Sequence, residues 1–188
     1  MASENREYKI DHENAINILD RIIGFINNCD SKASIRLGVV GVVMALMFTA
    51  DGIIEIKRII SLILSNPNFC DLFFFGLWIA SMLVLCFGLY KFISVLTAKI
   101  DCNDRKQTKL DLNSKIFFGT IASQSYNEYE KKLIGLNEKD YLNDIISQIY
   151  INSIICNNKF KKYNMGLRFS LIGFITFIVL WGIGSYLY

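Results

Sequence analysis

The sequence predicts an all-α membrane protein with three transmembrane helices, long cytoplasmic helical extensions and a small helical cytoplasmic domain. Hydrophobic residues make up 53% of the 188 residues and are concentrated in blocks. Residues 72–90 and 169–188 are uncharged and 19 and 20 residues long, which is enough to cross about 30 Å of hydrocarbon as a helix. A third block, residues 33–50, carries its one charge, Arg36, near one end, where the side chain can reach the headgroups.

The distribution of lysine and arginine predicts the topology. These residues number 5 in residues 1–36, 2 in residues 51–71 and 12 in residues 99–168. Because segments rich in Lys and Arg stay in the cytoplasm, we expect a cytoplasmic N-terminus, an external loop at residues 51–71 and an extracytoplasmic C-terminus. No cleavable signal peptide is expected, because residues 1–32 are polar and lack a short apolar core.

The first helix is expected from about residue 11 to residue 50. Residues 1–32 would be a cytoplasmic helix that continues into the first span, residues 33–50. An apolar stripe at helical spacing runs along the cytoplasmic part (Ile16, Leu19, Ile22, Ile23, Ile26). Small residues line one side of the span (Gly38, Gly41, Ala45), and they favour close helix packing either with another copy or within the chain.

An external loop with an amphipathic helix is predicted over residues 51–71, followed by the second span, residues 72–98. The polar residues of the loop recur at helical spacing between isoleucines. This pattern is typical of a helix that lies at the membrane interface, or that extends the first span. Asn66-Pro67-Asn68 is a turn signal.

Residues 99–165 are predicted to be a cytoplasmic sensor or coupling domain, and residues 166–188 the third span. Residues 101–113 are charged and turn-like. Ser125 and Glu128 have the spacing of a capping box that opens a short helix. Gly135 can end that helix, and Asn137 can cap the next one, which has no breaker before the end of the third span.

The sequence does not favour an enzyme. It contains no nucleophile motif, phosphate-binding glycine loop or zinc-protease motif, so no catalytic residue and no cofactor are expected. Five cysteines without a close pair and a single histidine predict no metal site. The net charge of +3 is too small to indicate binding to nucleic acid.

Two groups of residues are candidates for binding a small molecule. Polar residues occur at the membrane edge and in the last helix (Asn27, Asp30, Lys32, Ser34, Gln148, Asn152), where they either lock helices together or bind a polar ligand. Aromatic residues of the cytoplasmic domain (Phe118, Tyr126, Tyr129) either pack in a core or stack on a nucleobase. A basic cluster before the third span (Lys159, Lys161, Lys162, Arg168) either anchors the topology at anionic lipid or binds a phosphate.

Three sequence motifs carry a resemblance to a known family. Residues 27–34, NNCDSKAS, run into LGVVG at residues 37–41, and together they resemble the signature of the Pycsar transmembrane effectors. Residues 116–119, IFFG, and residues 147–153, SQIYINS, are similar to later motifs of the same family and occur in the same order. Cys29 departs from the signature, in which a small residue such as alanine is expected.

The resemblance implies a bacterial anti-phage effector in the inner (plasma) membrane, paired with a uridylate or cytidylate cyclase. A 3′,5′-cyclic pyrimidine nucleotide, cCMP or cUMP, would switch the effector on, and loss of membrane integrity would give abortive infection. On this interpretation Lys32 neutralises the cyclic phosphate, and the other polar and aromatic candidates bind or stack on the nucleoside. We also expect a homo-oligomer embedded in the lipid bilayer. The alternatives are a membrane-anchored helical interaction or scaffold protein, or a small channel subunit.

Overall fold

The computed structural model describes residues 11–65, 68–97 and 114–188. These residues form six helices: α1 (His12–Met47), α2 (Ala50–Ser65), α3 (Phe69–Leu96), α4 (Phe118–Ala122), α5 (Tyr126–Ile134) and α6 (Glu138–Leu187). The all-helical fold class is therefore confirmed. Asn66 and Pro67 of the predicted turn, and the charged segment at residues 101–113, lie outside the described residues.

The helix ends in the C-terminal half follow the local sequence signals. Ser125 Oγ accepts from the Glu128 amide at 3.4 Å, and the Ser125 amide donates to Glu128 Oε2 at 3.2 Å. This is the reciprocal capping box that was predicted. Gly135 follows the last residue of α5. Asn137 Oδ1 accepts from the Asp140 amide at 2.8 Å, so Asn137 caps α6, which then continues over 50 residues.

The first helix ends slightly before the predicted residue 50, and the chain bends directly after it. Helix α1 ends at Met47, and α2 leaves it at an angle of 70°. Residues 51–65 therefore do not continue α1 in a straight line, because the chain turns at residues 48–49. Helices α3 and α6 are each long and apolar enough to cross a membrane, whereas α1 and α2 meet that criterion only as a bent pair. Two spans are supported, or three if the bent pair forms one.

The chain divides into two compact units, and α1 and α6 each contribute residues to both. Unit 1 comprises Met1–Asn27 and Lys99–Asn158, and unit 2 comprises Asn28–Ala98 and Lys159–Tyr188. The small helices α4 and α5 belong to unit 1, whereas α2 and α3 belong to unit 2.

Unit 2 is held by apolar side chains in two clusters. The first consists of buried residues of α1, α3 and α6 (Cys29, Ala33, Phe92, Val95, Tyr163). The second joins α2 to α3 and α6 (Ile59, Ile63, Trp78, Phe177). Helices α3 and α6 approach closely at glycines, because a Cβ added at Gly88 would lie 2.7 Å from Ser170 Cα, and one added at Gly173 would lie 2.7 Å from Leu85 Cα.

Candidate functional site

The buried face of α6 in unit 1 is polar. Asp144, Ser147 and Gln148 are all buried, with Asp144 fully inaccessible to solvent. Their spacing of three and four residues puts them on one face of the helix. Ile145 is buried beside them, whereas Ile146 is 43% exposed.

The segment that precedes α4 is held against this face by hydrogen bonds. Asp144 Oδ2 accepts from the Lys115 amide at 2.7 Å. The hydroxyl of Ser114, itself buried, accepts from the Phe117 amide at 3.0 Å. The Tyr129 hydroxyl donates to the Lys115 carbonyl at 3.2 Å. Helices α5 and α6 thus both fix the backbone at Lys115.

Two buried atoms of unit 1 lack hydrogen-bond partners among the described residues. They are Asp144 Oδ1 and His12 Nδ1. The His12 ring packs on the ring of Tyr141 with centroids 5.7 Å apart, and Tyr141 lies one turn before Asp144 on α6. A buried acceptor without a donor destabilises a fold by about 1–3 kcal/mol. Unit 1 therefore has two buried atoms with which a ligand could form hydrogen bonds.

The predicted aromatic residues of unit 1 differ in exposure. Phe118 is 78% exposed and Tyr126 is 73% exposed, and both belong to or flank the short helices α4 and α5. Tyr129 is half-buried and its hydroxyl is used to hold Lys115. Of these three residues, Phe118 and Tyr126 therefore have the most exposed rings, where a base could stack.

Unit 2 contains a second polar arrangement, and it is a closed ion pair. Lys159 Nζ donates to both oxygens of Asp30, at 2.6 and 2.8 Å, and to the Val95 carbonyl at 2.8 Å. The Lys159 side chain is 11% exposed and that of Asp30 is 33% exposed. Because the three residues come from α6, α1 and α3, one ammonium group joins three helices. Arg36 also donates to the Tyr163 hydroxyl.

The structure divides the predicted site residues between the two units. Unit 1 contains six of them (Asn27, Phe118, Tyr126, Tyr129, Gln148, Asn152) and unit 2 contains three (Asp30, Lys32, Ser34). Asn152 donates to the Gln148 carbonyl of its own helix at 2.8 Å. Lys32 and Ser34 are exposed, and the cation that pairs with Asp30 is Lys159.

Asp144 and His12, which carry the two unpartnered buried atoms, were not predicted as site residues. Asp144 lies four residues before Gln148. The sequence signal for a buried carboxylate was its position directly before two isoleucines, Ile145 and Ile146. His12 was interpreted as a solvated helix residue, but its ring is half-buried against Tyr141. Its role depends on a contact between residues 129 positions apart, which no local pattern predicts.

Comparisons with known proteins agree with the motifs. The sequence model of the Pycsar effector protein domain, PycTM, matches residues 14–186. The chain belongs to the Pycsar effector family. The Pycsar effector protein GmPycTM of Gulbenkiania mobilis is 30% identical over 200 aligned residues, which cover 100% of both chains. No solved structure matches the chain significantly.

Family membership fixes the general class of the protein. It is a membrane protein and an effector of anti-phage defence. The Pycsar system also implies a cyclase partner and a cyclic nucleotide signal. The match includes nearly all of α1 and α6, so it covers both units and is not confined to a single motif.

Proposed function

We propose that this protein binds a 3′,5′-cyclic pyrimidine nucleotide on its cytoplasmic side and then impairs the integrity of the bacterial inner membrane. The observation that carries the proposal is the family match, which extends from residue 14 to residue 186. A paired uridylate or cytidylate cyclase would supply the nucleotide during infection. The growth arrest of the infected cell would then precede the maturation of phage.

Unit 1 is the better candidate for the nucleotide sensor. Its described interior is polar around Asp144 and Gln148, and its exposed aromatic rings include those of Phe118 and Tyr126. A nucleotide offers hydrogen-bonding groups to such an interior and a π-face to an aromatic side chain. The excess of Lys and Arg in residues 99–168 also favours a cytoplasmic position for this unit, where a cyclase product would be present.

Unit 2 would be the membrane effector. Helices α1 and α6 contribute residues to both units, so the chain is covalently continuous from the sensor to the spans. A ligand that binds one arrangement of unit 1 better than another shifts the population by its differential affinity. A tenfold preference corresponds to only about 1.4 kcal/mol, so several coupled subunits would make the response sharper.

The surface of α1 supports a homo-oligomer. Among the described residues, no neighbouring atom lies within 4 Å of a Cβ added at Gly38 or at Gly41, and Ala45 is exposed as well. In the part of the chain that the structure describes, these small residues are therefore not used for close packing, which was the other explanation for them. In a membrane, small residues on a helix allow a second helix to approach closely.

Dye release from liposomes that contain the purified protein tests the proposal. The nucleotides cCMP, cUMP, cAMP and cGMP are added separately, and liposomes without protein are the control. We expect release with a pyrimidine nucleotide and none with the purines. Folded and inserted protein that releases no dye with any of the four would contradict the proposal and would favour an anchored scaffold instead.

A further inference from the structure

The two unmatched atoms of unit 1 belong to α1 and α6. Tyr141 and Asp144 are three residues apart on α6, which is roughly 4.5 Å along the helix axis, and the His12 ring packs on Tyr141. Asp144 Oδ1 and His12 Nδ1 are both buried, and neither has a partner among residues 11–65, 68–97 and 114–188. Two independent elements, α1 and α6, thus provide hydrogen-bonding atoms that nothing described satisfies.

The chemistry of these atoms restricts the ligand. An ionised carboxylate only accepts hydrogen bonds, so the group opposite Asp144 Oδ1 must be a donor. A neutral imidazole nitrogen can donate or accept, depending on the tautomer. A ligand that binds Asp144 Oδ1 therefore has to supply a donor, whereas one that binds His12 Nδ1 can supply a group of either kind.

We propose that Asp144 selects the base of the bound nucleotide and that the ligand is cCMP, whose exocyclic amine donates to Asp144 Oδ1. This inference rests on the proposed function and deepens it. Acidic side chains recognise cytosine through this amine in nucleic-acid complexes as well. Cytosine N3, next to the amine, is an acceptor that the His12 ring matches as a donor.

Uracil fits this arrangement poorly. It has a carbonyl oxygen, O4, in the place of the amine, and two acceptors that face each other repel. Its N3–H group is a donor, but two carbonyl oxygens flank it and would also lie close to the carboxylate. Because His12 can adapt to either base, Asp144 is the residue that distinguishes them. Adenine carries an amine too, so the binding of cAMP is limited by the size of the base rather than by Asp144.

Because both atoms are buried, a base can bind them only if the structure of unit 1 changes. Asp144 is fully covered in this structure, and its other oxygen holds the Lys115 amide. A base reaches Oδ1 only if side chains or the segment at Lys115 move. The arrangement with the nucleotide bound satisfies atoms that the closed arrangement leaves without partners, and this difference favours the bound state.

Replacement of Asp144 by asparagine tests the inference. Asp144→Asn keeps an oxygen for the Lys115 amide and puts an amide N–H₂ donor where Oδ1 was. Equilibrium binding of cCMP and cUMP to the full-length protein in detergent is measured for both forms. We expect the wild type to prefer cCMP by about tenfold or more, which is about 1.4 kcal/mol. The variant should lose this preference or reverse it, because its new donor matches uracil O4.

His12→Phe is the matched control. It keeps a ring against Tyr141 but removes the nitrogen, so it should weaken both nucleotides by a similar factor and leave their ratio unchanged. A wild type that prefers cUMP, or a ratio that Asp144→Asn leaves unchanged, would overturn the role of Asp144 while the proposed function stands. Binding of neither nucleotide by the folded wild type would contradict the proposed function itself.

Discussion

The interiors of the two units are built from different kinds of side chain. Apart from glycines, unit 2 has thirteen buried residues among those described, and ten of them are hydrophobic. Unit 1 has six, and four of them are polar (Ser114, Asp144, Ser147, Gln148). The two carboxylates show the same contrast. Asp30 in unit 2 has a cation bonded to both of its oxygens, whereas Asp144 in unit 1 has a donor on one oxygen only.

This difference indicates which unit can respond to a ligand. Apolar burial stabilises unit 2 without depending on any particular hydrogen bond. A polar interior is sensitive to whether each group has a partner, so its preferred arrangement changes when a ligand supplies one. Regions that move are expected to have few buried apolar contacts. Unit 1 fits this description, and the following predictions test the contrast.

The largest effect is expected at the contact between α3 and α6. Gly173→Ala adds a methyl group that meets the backbone of α3, 2.7 Å from Leu85 Cα, and a backbone does not yield as a side chain does. We expect a loss of about 1–3 kcal/mol, measured as thermal unfolding in detergent by tryptophan fluorescence. Gly182→Ala is the control on the same helix, since no neighbouring atom of the described residues lies within 4 Å of the added Cβ. It should be neutral or should stabilise the helix by up to about 1 kcal/mol. Equal melting temperatures for the two variants would contradict the close contact.

A second large effect is expected at the ion pair of unit 2. Lys159→Met keeps the apolar stem but leaves Asp30 and the Val95 carbonyl without their shared donor. Removing one partner of a fully buried pair costs about 3–5 kcal/mol. Because the Asp30 side chain is one-third exposed, we expect about 1–3 kcal/mol in the same unfolding experiment.

Lys161→Met is the control for this pair, because Lys161 is exposed and lies on the same helix. Adding Asp30→Asn to Lys159→Met should recover part of the loss, since it removes the uncompensated charge. If the double variant is as unstable as the sum of the single variants, Asp30 and Lys159 do not act as a pair.

A smaller and local effect is expected at Asp144. Asp144→Ala removes the acceptor of the Lys115 amide, and a buried amide without an acceptor costs about 1–3 kcal/mol. Hydrogen exchange should become faster in residues 114–120, whereas the amides of α3 should be unchanged. Asp144→Asn keeps the acceptor and should exchange as the wild type does. Faster exchange throughout both units would show that unit 1 does not respond separately.

The sequence predicted the helical class and several helix ends, because these depend on neighbouring residues. The capping box at Ser125 and the cap at Asn137 are local hydrogen bonds, and both were found where predicted. The bend after Met47 was left open by the sequence, because no proline marks it and the next segment could either lie at the interface or extend the first span. The 50-residue length of α6 followed from the absence of any breaker.

The candidate site was predicted less well than the fold. Asp30 was identified as important, but its partner Lys159 lies 129 residues away, and the local charge cluster favoured a topology role. Asp144 was missed because isoleucines around it gave the helix an apolar face. Which polar residues meet depends on how helices pack, and the sequence of one helix contains little information about that packing.

The smallest effect is expected at the exposed ion pair of α2. Arg58 donates to both oxygens of Glu55, at 3.0 and 2.6 Å. Lys159 also donates to both oxygens of Asp30, so the two ion pairs have the same number of hydrogen bonds. The bond from Arg58 lowers the pKa of the Glu55 carboxyl. Its stabilising contribution is therefore present above the unfolded-state pKa and is lost as the pH falls through the lowered folded-state pKa. Because water screens this pair, we expect Glu55→Gln to shift the melting temperature much less than Lys159→Met at neutral pH, and not at all in acid. A shift as large as that of Lys159→Met would mean that burial is not what makes the Asp30 pair important to unit 2.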